Sequence, residues 1–288
     1  GVDVVNWGRV VNVVLSWVIS PVMGGLFAYL VFQYINKAIF STRRPLAHAK
    51  ELLPFIVSVV FFILSIAICY KGLKNLHLDL EFSNVLLIAF VMGILGFFLS
   101  KVLVRYIPDD DSKDFAHQFN TTENLFKYLQ ILTAFYIAFA HGSNDVANAV
   151  GPLAAVVSIL DGGVVGMKVA MPIWILGLGG GFIVFGLMVW GYRVMATVGE
   201  NITDITPSRG FCATFGAASV VLICSKMGLP ISTTHTLVGS IIGVGLARGL
   251  PTLNLGIIKM IFISWVTTIP FTAIISMIFF KAFLLFLP

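Results

Sequence analysis

Charge is what this sequence lacks most. Only 11% of its 288 residues are Asp, Glu, Lys or Arg and 58% are hydrophobic, with a mean hydropathy of +0.99. An ordinary soluble domain carries about 25% charged residues, so that class is excluded and the chain reads as a polytopic membrane protein. Cysteine is nearly absent as well. Cys69, Cys212 and Cys224 are odd in number and lie within apolar runs, which points to packing rather than a disulfide framework. The excess of 18 basic over 13 acidic residues gives a net charge of +5. Because the basic residues fall in loops, the excess implies no nucleic-acid partner. No cleavable signal peptide is expected in the opening residues Gly1-Val2-Asp3.

What is present is a succession of apolar stretches, near 10–35, 52–70, 85–104, 124–141, 146–160, 170–195, 211–225, 233–247 and 256–287. A full helical span needs about 20 residues. Three stretches (146–160, 211–225 and 233–247) are shorter, and all three lie beside polar motifs. Short or interrupted hydrophobic segments are the expected mark of broken or re-entrant helices around a midplane site. The expected fold is therefore all-α and polytopic, with broken or re-entrant helices at a midplane site. Lys37, Arg43, Arg44 and Lys50 against Glu51 place the 36–51 loop in the cytoplasm by the positive-inside rule. The balanced 71–84 loop then falls outside, and the 105–123 loop returns to the cytoplasm, since its Asp109-Asp110-Asp111 run contributes little to that rule. The division expected from this is 1–104, a cytoplasmic linker 105–123, and a second unit 124–288.

Residues 141–148, His-Gly-Ser-Asn-Asp-Val-Ala-Asn, interrupt an otherwise apolar stretch. An ionisable residue at a helix centre in lipid costs ~2.5–3.5 kcal/mol, so Asp145 is by default a functional group. In a helix, Asn144 and Asn148 are four apart and Asp145 and Asn148 three apart, which puts all three on one face. Such a face offers oxygen ligands and amide donors, suited to a small hard cation or a polar solute.

A second motif, Gly228-Leu-Pro-Ile-Ser-Thr-Thr-His-Thr236, reads as helix, break, helix. Pro230 disfavours helix at Leu229, and Ser232 or Thr233 suits the N-cap of the helix that follows. Its N-terminus, with free amides and hydroxyls, is an anion site. His141 and His235 taken singly read as packing residues. Small residues recur every fourth position after each motif, at Ala147, Gly151 and Ala155 and at Gly239, Gly243 and Ala247. These stripes read as close-packing surfaces, and packing of the two helices on each other would bring the carboxylate to the hydroxyls.

Asn6-Trp7-Gly8 followed by Ser16-Trp17-Val18 matches Asn254-Leu255-Gly256 followed by Ser264-Trp265-Val266 at equal spacing, with Pro21 and Pro270 beyond. The match implies an internal repeat. The chain then holds the end of a first repeat and the whole of a second. The rest of the first-repeat half is expected either in the same full-length protein or on another chain.

His141-Gly-Ser-Asn-Asp-Val-Ala-Asn-Ala with Gly151-Pro152, and Gly228-Leu-Pro-Ile-Ser-Thr-Thr-His with Val238-Gly239, closely resemble the inorganic phosphate transporter (PiT) family of sodium- or proton-coupled symporters. Ser16-Trp17-Val-Ile-Ser20-Pro21 and Thr206-Pro207-Ser208-Arg209-Gly210-Phe211 add to the likeness, which covers nearly the whole chain. Members carry each signature twice, in halves of opposite orientation, so the resemblance implies a membrane transporter built from inverted repeats, of which this chain holds the second copy of each signature. The resemblance implies a symporter in the cell (inner or plasma) membrane, with no enzyme activity and no cofactor. It implies phosphate held by Asn144, Asp145, Ser232, Thr233 and Thr234, and sodium near Asp145 and Asn148. A homodimer is compatible with it. Many relatives carry glutamate where this chain has Thr214, which can supply only a neutral oxygen.

Asp145 beside a phosphate dianion requires either a sodium between them or a protonated phosphate oxygen that donates to the carboxylate. The alternatives are a proton-coupled phosphate or metal-phosphate symporter, and a permease for sulfate or another oxyanion. A hydrolase built on Asp145, a histidine and Ser232 lacks a nucleophile motif such as G-x-S-x-G.

Overall fold

The structure is a computed structural model that describes residues 6–72, 80–107, 114–160, 172–229 and 231–286. Pro230, the acidic run 109–111 and residues 73–79 of the 71–84 loop lie outside them. The described residues form eight α-helices: α1 (Trp7–Ile35), α2 (Pro45–Ala67), α3 (Phe82–Arg105), α4 (Phe115–Leu160), α5 (Ile173–Glu200), α6 (Pro207–Lys226), α7 (Thr233–Arg248) and α8 (Leu255–Phe286). Seven are long and apolar enough to cross a membrane. The exception is α7, whose 16 residues extend only about 24 Å at 1.5 Å per residue.

Helix α6 sits at the centre because its side chains are small. Gly210, Cys212, Ala213, Gly216, Ala217, Ala218 and Ser219 are all buried and let neighbours approach from several sides. A Cβ on Gly216 would come within 2.9 Å of Ala28 Cβ on α1. Against α4 the seam is aromatic, with Phe126 edge-on to Phe211 at a centroid distance of 5.8 Å and Tyr136 beside Phe215 at 6.4 Å. Phe40, in a π turn after α1, closes the bundle on α4 through Phe119 and Phe126. In the apolar window of α6, 72% of positions are buried, against none in α8. The exposed faces of α3, α5 and α8 are dominated by large apolar side chains, the surface that hydrocarbon covers.

Helices α1 and α7 make the closest backbone approach. A Cβ on Gly24 would lie 2.6 Å from the Thr236 carbonyl oxygen, one on Gly25 would lie 2.9 Å from that of Gly239, and Gly239 and Gly243 in turn meet Pro21 and Gly25. The Gly239-Gly243 stripe therefore packs on α1 and not on the helix bearing Asp145, while Gly151 of the other stripe has open space beside it. This corrects the pairing expected from sequence. Small residues on α1 supply a matching surface, and close approach in lipid requires small residues on both partners.

The matched segments at 6–18 and 254–266 fold alike. Asn6 and Asn254 each accept the amide of the residue four further on through their carbonyls, Val10 at 3.2 Å and Ile258 at 3.1 Å. Their side-chain oxygens lie over the Cβ positions of Gly8 and Gly256 at 3.5 and 3.3 Å. Trp17 and Trp265 line the same apolar groove between α1, α7 and α8, with a volume of about 670 Å³.

The carboxylate motif does not interrupt a helix. Helix α4 runs unbroken for 46 residues, about 69 Å at 1.5 Å per residue, and takes in both the 124–141 and the 146–160 stretches. Within 141–148 there is one glycine and no proline. Ser143 Oγ donates back to the Ala140 carbonyl at 3.0 Å, so the polar side chains are compatible with helix. The helix also begins inside the expected 105–123 linker and takes in its last nine residues.

Candidate functional site

The helix break at the second motif has a specific geometry. Helix α6 closes with the Leu229 amide donating to Cys224 O at 3.0 Å and the Gly228 amide to Ser225 O at 3.2 Å. Gly228 stands at φ +72°. This Schellman-type ending needs a left-handed residue, which glycine provides without a Cβ penalty. Helix α7 starts four residues past Leu229, with Ser232 as N-cap and its hydroxyl accepting the His235 amide at 3.3 Å. The first turn of α7 is partly covered, with Thr233 buried, Ser232 and His235 half-buried and Thr234 exposed.

Helix α4 brings Asp145 to this turn. Thr233 Oγ1 donates to Asp145 Oδ1 at 2.7 Å. Asn144 Nδ2 donates to the same oxygen at 3.0 Å and to the Ile231 carbonyl at 3.1 Å. His141 Nε2 lies 2.6 Å from Asp145 Oδ2. One carboxylate thus receives three donors from both motifs, while Asn144 ties the main chain just before α7 to α4. The side chains of His141 and Asp145 are 41% and 33% exposed, whereas Asn144 is buried. One edge of the cluster is therefore open and the other is sealed. The carboxylate also lies at the N-terminal end of α7, where the helix dipole favours negative charge.

The structure therefore brings together Asn144, Asp145 and Thr233, with Ser232 one residue away as the cap. Asn148, one turn beyond Asn144, is exposed. His235 faces elsewhere: its ring stacks on Trp265 of α8 at a centroid distance of 3.7 Å and an interplanar angle of 23°.

Sequence reasoning passed over two residues. His141 read as a packing residue, yet its position four before Asp145 is the spacing at which helical side chains meet. Glu123, near the start of α4, accepts from Thr206 Oγ1 at 3.0 Å, from Ser208 Oγ at 2.8 Å and from the Ser208 amide at 2.9 Å. It caps the N-terminus of α6 from another helix, and no local pattern announces such a cap. Thr214 forms a hydroxyl pair with the buried Thr133 at 2.7 Å, so both are engaged across the α4–α6 seam.

An all-helical bundle with seven membrane-length helices, one helix too short to span and a carboxylate held at that helix's N-terminus is a membrane transporter by class. The chain belongs to the phosphate transporter family, whose sequence pattern matches residues 1–276. It is 44% identical over 286 residues to the "Putative phosphate permease" of Pyrococcus horikoshii, covering 99% of this chain and 68% of that protein. It is also 44% identical over 286 residues to the protein of the same name from Haemophilus influenzae, covering 97% of this chain and 67% of that protein. A solved structure described as "The sodium-dependent phosphate transporter" superposes with a TM-score of 0.82 at 42% identity, covering 94% of this chain and 65% of the other. The chain thus spans about two thirds of the length of the proteins it matches, and it falls among transporters rather than enzymes.

Proposed function

We infer that the full-length protein is a secondary active symporter that moves inorganic phosphate across the membrane together with sodium. The observation that carries this reading is Asp145, held between the α4 amide of Asn144 and the α7 hydroxyl of Thr233. The family membership and the sodium dependence named for the solved relative support it.

In this reading, phosphate is bound at the α7 N-terminus by the hydroxyls of Ser232, Thr233 and Thr234 and by Asn144. Neutral donors and the helix terminus supply the attraction, because neither motif contains Lys or Arg. Asp145 then sets the coupling. Two unit charges of like sign 4 Å apart repel by about 4 kcal/mol at an effective dielectric constant of 20, and a dianion roughly doubles that. Sodium between Asp145, Asn148 and the phosphate removes the repulsion, so anion and cation enter together. A first-repeat half, carried by the same full-length protein or another chain, would complete the pathway, and rocking of one repeat against the other would alternate access.

Two variants of this reading share the site. A protonated phosphate oxygen donating to Asp145 would couple phosphate, or a metal-phosphate, to protons. A sulfate permease would use the same hydroxyls with no proton to share. The test is labelled phosphate uptake into proteoliposomes of the full-length protein, with and without a sodium gradient at fixed pH. The sodium gradient is expected to drive accumulation, and excess sulfate is expected to leave it unchanged. Uptake indifferent to sodium but driven by a proton gradient would replace the cation, and strong sulfate competition would replace the substrate.

A further inference from the structure

The donors a phosphate needs at this site are the ones Asp145 already engages. Thr233 Oγ1 and Asn144 Nδ2 both donate to Oδ1, and His141 Nε2 closes on Oδ2. A carboxylate and a phosphate are both oxyanions, and each competes for the same N–H and O–H groups. The geometry points to coupling by exchange of donors: Asp145 acts as an internal rival of the phosphate, and the cation, by taking over the carboxylate, releases Thr233, Asn144 and His141 to the anion.

This rests on the symport reading and deepens it. Sodium is an oxygen-seeking cation, and Oδ1 of Asp145, which already accepts from both Thr233 and Asn144, can ligate it only if one of them turns away. Thr233 can face the cation with an oxygen lone pair and turn its proton to the phosphate. Asn144 can likewise present its amide oxygen to the cation and keep its N–H groups for the anion. His141 has no oxygen to offer a cation. Its departure from Oδ2 gives the cation both lone pairs of that oxygen, and its position on the open edge of the cluster, 41% exposed, leaves room for that. The ring is then free to donate to the anion. In this scheme His141 is a positioning residue for the carboxylate before exchange and a phosphate donor after it. Each ligand favours the same rearrangement, so each raises the affinity of the other by the same factor.

Two sets of variants test donor exchange. Asp145→Asn removes the like-charge repulsion together with the strong rival acceptor, so both effects favour the anion in it. The His141 variants separate donor exchange from simple charge bridging, because a bridge needs no donor from His141. The measurement is phosphate binding by the full-length protein in lipid nanodiscs, with labelled phosphate in sodium or in choline at fixed pH. Wild-type protein is expected to bind more tightly in sodium. Asp145→Asn is expected to bind phosphate in choline about tenfold more tightly than wild type does, the scale of one strengthened hydrogen bond, and to respond little to sodium. Binding by this variant in choline no tighter than wild type would overturn donor exchange.

His141→Ala, at a half-exposed position that folding tolerates more readily, gives the second measurement. With Oδ2 uncovered, half-saturation by sodium should fall several-fold, while the gain in phosphate affinity produced by sodium shrinks. His141→Gln, which keeps a donor, should recover part of that gain. A merely structural role would weaken both ligands and leave their ratio unchanged, and that result also overturns the proposal. Wild-type protein that binds no phosphate in either medium would instead sink the symport reading itself.

Discussion

Thr233 Oγ1 and Asp145 Oδ1 lie 2.7 Å apart although 88 positions separate them in sequence, and this bond joins the middle of α4 to the first turn of α7. It explains why the carboxylate is tolerated at all. A charge in a membrane bundle persists where partners surround it, and here Asn144 and His141 complete the set. Asp145→Asn keeps the shape and removes the charge. We expect this variant to insert and express normally yet to lose sodium-driven phosphate uptake. Proteoliposome uptake checks it, and sodium-driven accumulation at the wild-type rate would show that the cation binds elsewhere.

The hydroxyls of the second motif should act on affinity. Ser232 caps α7 through the His235 amide, and Thr233 reaches Asp145. A neutral hydrogen bond contributes about 0.5–1.5 kcal/mol, more where a buried partner is left unpaired. Ser232→Ala and Thr233→Val should therefore each raise the apparent phosphate constant by roughly several-fold to a hundredfold. His235 stacks on Trp265, and His235→Ala should change that constant by no more than about twofold while lowering thermal stability through the lost aromatic contact. A triple Ser232/Thr233/Thr234 variant with wild-type affinity would move the phosphate site away from α7.

Packing makes a third contrast. A Cβ added at Gly239 or Gly243 would run into the backbone of Pro21 or Gly25, while one added at Gly151 or Gly180 would meet nothing within 4 Å. Overpacking a close interface costs about 1–3 kcal/mol and occasionally more, whereas glycine to alanine in an open helix position gains about 0.5–1 kcal/mol. Gly239→Ala and Gly243→Ala should lower the unfolding midpoint in detergent, and Gly151→Ala and Gly180→Ala should hold or raise it. Equal behaviour of the four would mean that α1 and α7 are not held backbone to backbone.

The helical class, the break before α7 and the N-cap at Ser232 were legible in the sequence because each depends on local chemistry: apolar run length, a proline that disfavours helix before it, a capping hydroxyl; the left-handed Gly228 that ends α6 was not read. The polar residues of both motifs were legible for the same reason, since a carboxylate and four hydroxyls stand out in apolar surroundings. Partner choice was not. The small-residue stripe after Ser232 specifies that something packs closely, and only the matching glycines of α1, more than two hundred positions away, decide what. The continuity of α4 through 141–148 was obscured for a different reason. A polar interruption in an apolar run looks like a break, but helix geometry is indifferent to polarity when the backbone carries no proline there. His141 was hidden by reading it alone rather than against the residue one turn later.

Glu123 supplies the last prediction, because its role is written entirely in tertiary contacts. Its two carboxylate oxygens accept from Thr206 Oγ1, Ser208 Oγ and the Ser208 amide, which fixes the N-terminus of the central helix α6 to α4. An anionic acceptor at a helix N-terminus satisfies unpaired amides and opposes the positive end of the dipole. Loss of a cap typically costs about 0.5–2 kcal/mol, and with three bonds at stake Glu123→Ala should fall at the upper end. Glu123→Gln retains one acceptor and should cost less. The measurement is thermal unfolding in detergent, followed by intrinsic fluorescence, for Glu123→Ala, Ser208→Ala and the double variant. Since both single changes remove bonds of one cluster, the double variant should be less destabilised than the sum of the two. Strict additivity would mean that Glu123 and Ser208 stabilise the bundle independently and not as one cluster.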